Sequence, residues 1–290
     1  MKPLSPARDT SLALRVLSAV VFLPLLVLLA RLGGFFFLGF AMLFIGLALR
    51  EFYVMVEGKG LRAHWKSGFL AALLFPIGFY ARLRAQRTEE WHLAGLLTVL
   101  LIAMLLAELR RGASKQTLVN TSATLLGVLY IGWLGSHVVA LRELPSTLGA
   151  PYANGMSFAL LPFFLAWACD TAAYLVGRTW GRHRLAPHVS PGKSVEGAIG
   201  GLLACVVAAA VARVWFAPYL TPIAALALGL IVGVFAQLGD LVESLLKRDA
   251  EAKESSSLIP GHGGVLDRFD SILFVAPLVY YFLLWEVFGR

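Results

Sequence analysis

Residues 228–249, LGLIVGVFAQLGDLVESLLKRD, are apolar over most of their length yet carry Gln237, Asp240, Glu243, Ser244 and Lys247. These polar residues recur at intervals of three or four, so on a helix they share one face while Leu, Val and Phe cover the rest. Such a stripe on an otherwise lipid-like helix predicts a membrane span whose polar face turns into a helix bundle. A carboxylate at membrane depth costs about 3 kcal/mol, so acids placed there mark a functional site. Polar stripes also join helices to one another. Two carboxylates one turn apart repel, however, unless a cation lies between them, and a cation site is the expectation here.

The remainder of the chain extends this pattern. Of 290 residues, 59% are hydrophobic and 14% charged, and the mean hydropathy is +0.77. Those values exclude an ordinary soluble enzyme and a disordered chain. The two cysteines, Cys169 and Cys205, both in apolar stretches, offer no disulfide framework. Nine apolar runs, near 12–30, 35–56, 67–82, 93–109, 118–141, 157–177, 196–216, 221–246 and 271–288, predict an all-α, polytopic integral membrane protein with about nine transmembrane helices. The first run follows Lys2, Arg8 and Arg15 as a signal peptide would. No small-x-small cleavage pattern comes after it and eight further spans do, so this helix is expected to be retained.

Nine spans place alternate loops on the same side, and 18 of the 25 basic residues then fall on the side of the N-terminus. The positive-inside rule makes that side cytoplasmic. Only Arg82, Arg84 and Arg87, grouped on the other side, run against it. The net charge of +8 is accordingly loop charge that sets orientation, not a nucleic-acid surface. Residues 1–150 are expected to complete the bundle, and 151–290 to hold the catalytic helices with cytoplasmic loops 178–195 and 247–270.

The acids are unevenly placed. Up to residue 157 they lie in breaks or at span ends, Glu51 and Glu108 among them, whereas Asp170, Asp240 and Glu243 fall within apolar spans. A secondary transporter could use Asp170 and Asp240 as a cation or proton site, but no internal repeat of the kind common in transporters is visible. The segment 247–271 adds Lys247, Arg248, Lys253, His262 and Arg268, with a second acid pair, Asp267 and Asp270. Its Pro260-Gly261-His262-Gly263-Gly264 turn lets backbone N–H groups approach an anion. Oxygen ligands of this kind suit Mg²⁺, usually shared with substrate phosphates, and the basic residues suit those phosphates. Zinc is disfavoured, because His262 has no second His or Cys nearby.

The loop 178–195 repeats the theme with Arg178, Arg182, Arg184 and Lys193. Pro191-Gly192-Lys193-Ser194 resembles the end of a P-loop, but Pro187 stands where that motif needs glycine. Taken alone, this basic loop fits lipid headgroups as well as substrate phosphates. No G-x-S-x-G elbow or activated cysteine is present. Acid pairs, a divalent cation and basic clamps point to phosphoryl-type chemistry at the membrane surface without a covalent enzyme intermediate. A non-catalytic scaffold would not explain why acids and bases converge.

Three stretches then carry a resemblance. Ser244-x-Leu246-Lys247-Arg248, with Lys253 and the run Ile259-Pro260-Gly261-His262-Gly263-Gly264-Val265-Leu266-Asp267-Arg268-Phe269-Asp270, is similar to the signature of the phosphatidate cytidylyltransferases, or CDP-diacylglycerol synthases. Gln237-Leu238-Gly239-Asp240-Leu241-x-Glu243-Ser244 and Ser190-Pro191-x-Lys193-Ser194-x-Glu196-Gly197 resemble the same family. The motifs cover roughly the last 120 residues. Glu254 stands where the signature has aspartate, and Gly192 where a basic residue is expected. The D-G-x2-A-R signature of the CDP-alcohol phosphotransferases is absent.

The resemblance implies transfer of CMP from CTP to phosphatidate, giving CDP-diacylglycerol and pyrophosphate at the cytoplasmic face of the cell inner membrane, by a homodimer. It implies that Asp240 and Asp267 hold Mg²⁺, with Glu243 and Asp270 behind them or on a second cation. Lys247, Arg248, Arg268 and Lys193 would clamp phosphates, and His262 would contact an anion or orient an aspartate. Asp170, Ser190, Ser194, Glu196, Gln237, Ser244, Gly263 and Gly264 would line the substrate site.

Overall fold

A computed structural model of the chain describes residues 8–86, 91–112, 116–252, 254–256 and 263–288. Helices α1 (Arg8–Leu32), α2 (Gly34–Gly58), α3 (Trp65–Arg84) and α4 (Trp91–Arg111) come first. Then α5 (Thr117–Gly127) passes through a π-helical turn, Val128–Trp133, straight into α6 (Leu134–Leu148). A short 3₁₀ turn, Tyr152–Asn154, leads into α7 (Gly155–Trp180). Two short antiparallel strands follow, β1 (Arg184–Ala186) and β2 (Ser190–Ser194), with Arg184 opposite Ser194 and Ala186 opposite Ser190. The chain closes with α8 (Val195–Trp215), α9 (Pro222–Asp249) and α10 (Leu266–Phe288).

Among the described residues, seven helical runs are long and apolar enough to cross a membrane: Gly34–Gly58, Leu93–Arg111, Thr117–Leu148, Tyr152–Trp180, Val195–Trp215, Pro222–Asp249 and Leu266–Glu286. The protein is an α-helical integral membrane protein, and the hairpin β1–β2 is the one departure from helix among the described elements. The expected spans at 12–30 and 67–82 fall on α1 and α3. In α1 the described apolar part, Val20–Leu32, is short. In α3, Lys66, Pro76, Arg82 and Arg84 interrupt the apolar run.

Two boundaries differ from the sequence expectation, and both bear on the site. Helix α10 begins at Leu266, not near 271, so Asp267 and Asp270 belong to its first turns and not to a loop. Acidic side chains are favoured there, because the first turn exposes unpaired N–H groups at the positive end of the helix dipole. The basic loop 178–195 is mostly ordered as hairpin and helix end. There Arg184 pairs with the residue just before α8 and so anchors the α8 N-terminus beside α7.

Helix α9 is the axis of the C-terminal half, packed against α7, α8 and α10. Its lipid-like side leaves Val234, Phe235, Leu238 and Leu245 partly exposed, while Glu243 is buried. The stripe of 228–249 therefore faces inward. In the N-terminal half, α2, α3 and α6 enclose Ile45, Leu49, Phe75 and Leu141. Arg82, one of the three arginines that ran against the charge rule, is buried, and its guanidinium donates to the Tyr280 hydroxyl at 2.7 Å. At one end of the bundle Arg142 of α6 is also buried, donating from Nε to the Ala30 carbonyl at 2.5 Å, with its guanidinium 4.3 Å from the Tyr152 ring centre. Gly33, at φ +62°, passes so close that a Cβ there would overlap the guanidinium.

Candidate functional site

At the end of the bundle remote from Arg142, the C-terminus of α9 meets the N-terminus of α10, the hairpin and the last turns of α2. Ligand oxygens of Asp240 and Glu243 on α9 and Asp270 on α10 all lie within 4.8 Å of one another. Asp270 and Glu243 are buried and Asp240 is half-buried. The chain places them there because Asp240 and Glu243 are one turn apart on the inward stripe, while Asp270 lies one turn into α10. Glu243 Oε2 is paired with the Lys247 ammonium at 2.5 Å. Three carboxylates offering only oxygen atoms, gathered at one point, fit a hard divalent cation.

Two lysines balance this charge. Lys193, on β2, reaches Asp240 at 2.7 Å, and Lys247 bridges Glu243 at 2.5 Å and Asp267 at 2.6 Å. Asp267 shares Lys247 with Glu243 and has further partners of its own. It accepts from Lys247 Nζ, from the Ser255 amide at 3.0 Å, from the Ser255 hydroxyl at 2.8 Å and from the Gly264 amide at 2.8 Å. The Gly264 N–H, expected to meet a ligand anion, thus meets a carboxylate of its own chain. Gly263, at φ +78°, packs against the same carboxylate.

The other residues singled out from the sequence are distributed as follows. Ser244 Oγ donates to Asp240 at 3.4 Å, and Ser271 Oγ lies 3.4 Å from Asp170, which puts Asp170 at the edge of the acid cluster. Gln237 donates from its amide to the carbonyls of Ala198 and Gly233, joining α9 to α8. Ser194 caps α8 by accepting from the Gly197 amide at 3.1 Å. Glu196 accepts from His183 Nδ1 at 2.6 Å and from the Arg182 amide at 3.0 Å, closing the start of the hairpin. Ser190 stands half-buried at the start of β2. Arg248 donates from Nε to the Val189 carbonyl at 3.4 Å, fixing the hairpin over the end of α9. Arg268 is exposed on the first turn of α10. Lys253, Pro260, Gly261 and His262 lie outside the described residues.

Sequence reasoning missed the contribution of the N-terminal half. Glu51 of α2 is only 2% exposed and accepts from Ser255 Oγ, Ser256 Oγ and the amides of Val265 and Leu266. The available signal was its position: Glu51 precedes Phe-Tyr-Val-Met-Val, nearly two turns inside the end of α2, not at its edge. Tyr130, in the π-helical turn, is also buried near these acids, and its hydroxyl has no hydrogen-bond partner among the described residues.

Comparison with known proteins gives the family of the chain. Residues 13–285 match the family model described as the cytidylyltransferase family. A phosphatidate cytidylyltransferase of Synechocystis sp. is 37% identical over 291 residues, covering 93% of this chain and 95% of the relative. The chain belongs to the phosphatidate cytidylyltransferase family. A member from Staphylococcus epidermidis is 31% identical over 264 residues, covering 91% and 94% of the two chains. One from Bacillus subtilis is 39% identical over 158 residues, about half of each. The family likeness therefore runs through both halves of the molecule and not only the stretch that carries the motifs. In the same stroke, membership sets aside the transporter reading of Asp170 and Asp240.

Proposed function

We propose that the protein transfers CMP from CTP to phosphatidate, forming CDP-diacylglycerol and pyrophosphate. The observation that carries this reading is the buried trio Asp240, Glu243 and Asp270 with Lys193 and Lys247 held against it at one end of a membrane bundle. A phosphatidate phosphate oxygen attacks the α-phosphorus of CTP in line. The new P–O bond forms as the bond to the β-phosphate oxygen breaks, and pyrophosphate leaves with that electron pair. The attacking oxygen is already ionised, so no general base and no covalent enzyme intermediate are required.

Two polyanions must meet, so the residues' main task is to neutralise charge. Asp240, Glu243 and Asp270 would hold Mg²⁺, which when bound supplies charge neutralisation and alignment for the triphosphate. Lys193 and Lys247, now spent on Asp240 and Glu243, would turn to phosphate oxygens. Arg248, at the end of α9, and Arg268, exposed on the first turn of α10, would contact the phosphates leaving or arriving from solvent. Asp267 orients Lys247 through their 2.6 Å contact. The diacylglycerol chains remain in lipid beside α9 while the headgroup reaches the polar end.

Lys59, Arg62, Arg111, Arg178 and Lys247, at or next to helix ends on this side of the bundle, support through the positive-inside rule a site on the cytoplasmic face of the cell inner membrane. With α1 and α3 counted as spans, nine helices put the N-terminus on that face too. A homodimer is part of the same reading. The decisive measurement is pyrophosphate release from CTP by purified protein in detergent. Release is expected only when phosphatidate and a divalent metal are both present; release without phosphatidate, or none in any condition, would overturn the reaction.

A further inference from the structure

Glu51 is 204 to 215 positions away in sequence from the groups that donate to it, yet it is among the most completely engaged acids in the bundle. Its Oε1 accepts from Ser256 Oγ at 2.6 Å and the Val265 amide at 2.9 Å; its Oε2 accepts from Ser255 Oγ at 3.1 Å and the Leu266 amide at 2.8 Å. Val265 and Leu266 open α10, so the carboxylate of one helix caps the N-terminus of another, where negative charge is stabilised by otherwise unpaired N–H groups. The same carboxylate holds the segment that leaves α9. Ser255 lies between two acids, since its hydroxyl is also 2.8 Å from Asp267 Oδ2, and its one proton serves either partner. A Cβ at Gly264 would overlap both Ser255 Oγ and the Glu51 carboxylate, so the turn is closed tightly around this group.

We infer that Glu51 is a positioning residue of the site: by fixing Ser255 and the first turn of α10 it seats Asp267 against Lys247, and Lys247 against Glu243. The chain of contacts is continuous from α2 to the acid trio, and no substrate atom need touch Glu51. It gives the N-terminal half of the molecule a direct part in aligning the phosphate-binding groups, which none of the three C-terminal motifs contains. The inference rests on the cytidylyltransferase reading above.

The test uses full-length wild type, Glu51→Gln, Glu51→Asp, Asp267→Asn and the double variant Glu51→Gln/Asp267→Asn in detergent. Phosphatidate-dependent pyrophosphate release and melting temperature are followed together. Glu51→Gln is expected to lower kcat by at least about tenfold, with both KM values within roughly threefold, and Glu51→Asp to recover part of the loss. In the Asp267→Asn background the same substitution should cost less than about threefold, because the two residues act through one contact. A merely structural residue would lower the melting temperature and cut activity additively in both backgrounds. A wild type without phosphatidate-dependent release overturns the reaction itself. An active wild type whose Glu51→Gln variant keeps its kcat, or whose double variant is additive, overturns the positioning alone. Should Glu51→Gln fail to fold, Ser255→Ala decides: its kcat should fall by about threefold to tenfold at unchanged KM, and an unchanged kcat overturns the inference.

Discussion

A single ammonium group, that of Lys247, joins the two acid sets of the site, lying 2.5 Å from Glu243 and 2.6 Å from Asp267. Glu243 and Lys247 are four residues apart on α9, an arrangement that favours an ion pair even in an isolated helix. Asp267 comes from another helix, and its carboxylate is further held by Ser255 and Gly264. These partners make different predictions for different aspartates. Asp240→Asn removes a ligand of the proposed cation site and is expected to lower kcat about 100-fold or more and to raise the metal concentration needed for half-maximal activity. Asp267→Asn should lower kcat through Lys247 with that metal requirement less changed. Steady-state kinetics over a metal titration tells them apart, and full activity in both variants would remove these acids from the mechanism.

At the scale of the element, the junction of β2 and α8 carries Lys193 to Asp240. Ser194 ends the strand and caps the helix, accepting from the Gly197 amide, while Glu196 ties His183 and Arg182 to the first turn. A helix cap of this kind contributes about 1 kcal/mol. Ser194→Ala should therefore lower the melting temperature in detergent by a few degrees, and Ser194→Thr should restore it. A KM for CTP that rises with an unchanged melting temperature would instead mean that the serine hydroxyl meets the substrate. The hairpin also explains why the Pro191-Gly192-Lys193-Ser194 stretch looks like part of a P-loop and is not one: its residues form an antiparallel strand running into a helix, without the preceding glycine turn that wraps phosphates.

For the whole molecule, the two ends of the bundle have different duties. One gathers the acids and lysines. The other is fastened by Arg142, which donates to the Ala30 carbonyl and stacks on Tyr152, beside Glu143, which accepts from the Tyr152 hydroxyl at 2.8 Å. Removing one member of a buried charged network costs about 3 kcal/mol, because its partners stay buried without it. Arg142→Met is thus expected to lower the melting temperature markedly while the folded fraction keeps a kcat within about twofold of wild type. Loss of kcat at an unchanged melting temperature would show that the far end takes part in turnover.

The membrane class, the inward polar stripe of 228–249 and the family motifs were legible in the sequence, because each rests on local hydropathy, helical period or contiguous spacing. The pairing of Glu243 with Lys247 was not, since the sequence reading gave Glu243 to a cation and Lys247 to substrate phosphates. The resemblance already implied that Asp240, Glu243, Asp267 and Asp270 share one site, whereas the hold of Ser255 and Gly264 on Asp267 and the embrace of α10 by Glu51 were decided only by the tertiary structure. Each depends on how two or three helices distant in sequence cross and on where α10 begins, and neither composition nor periodicity along one helix encodes the rotation of its neighbour.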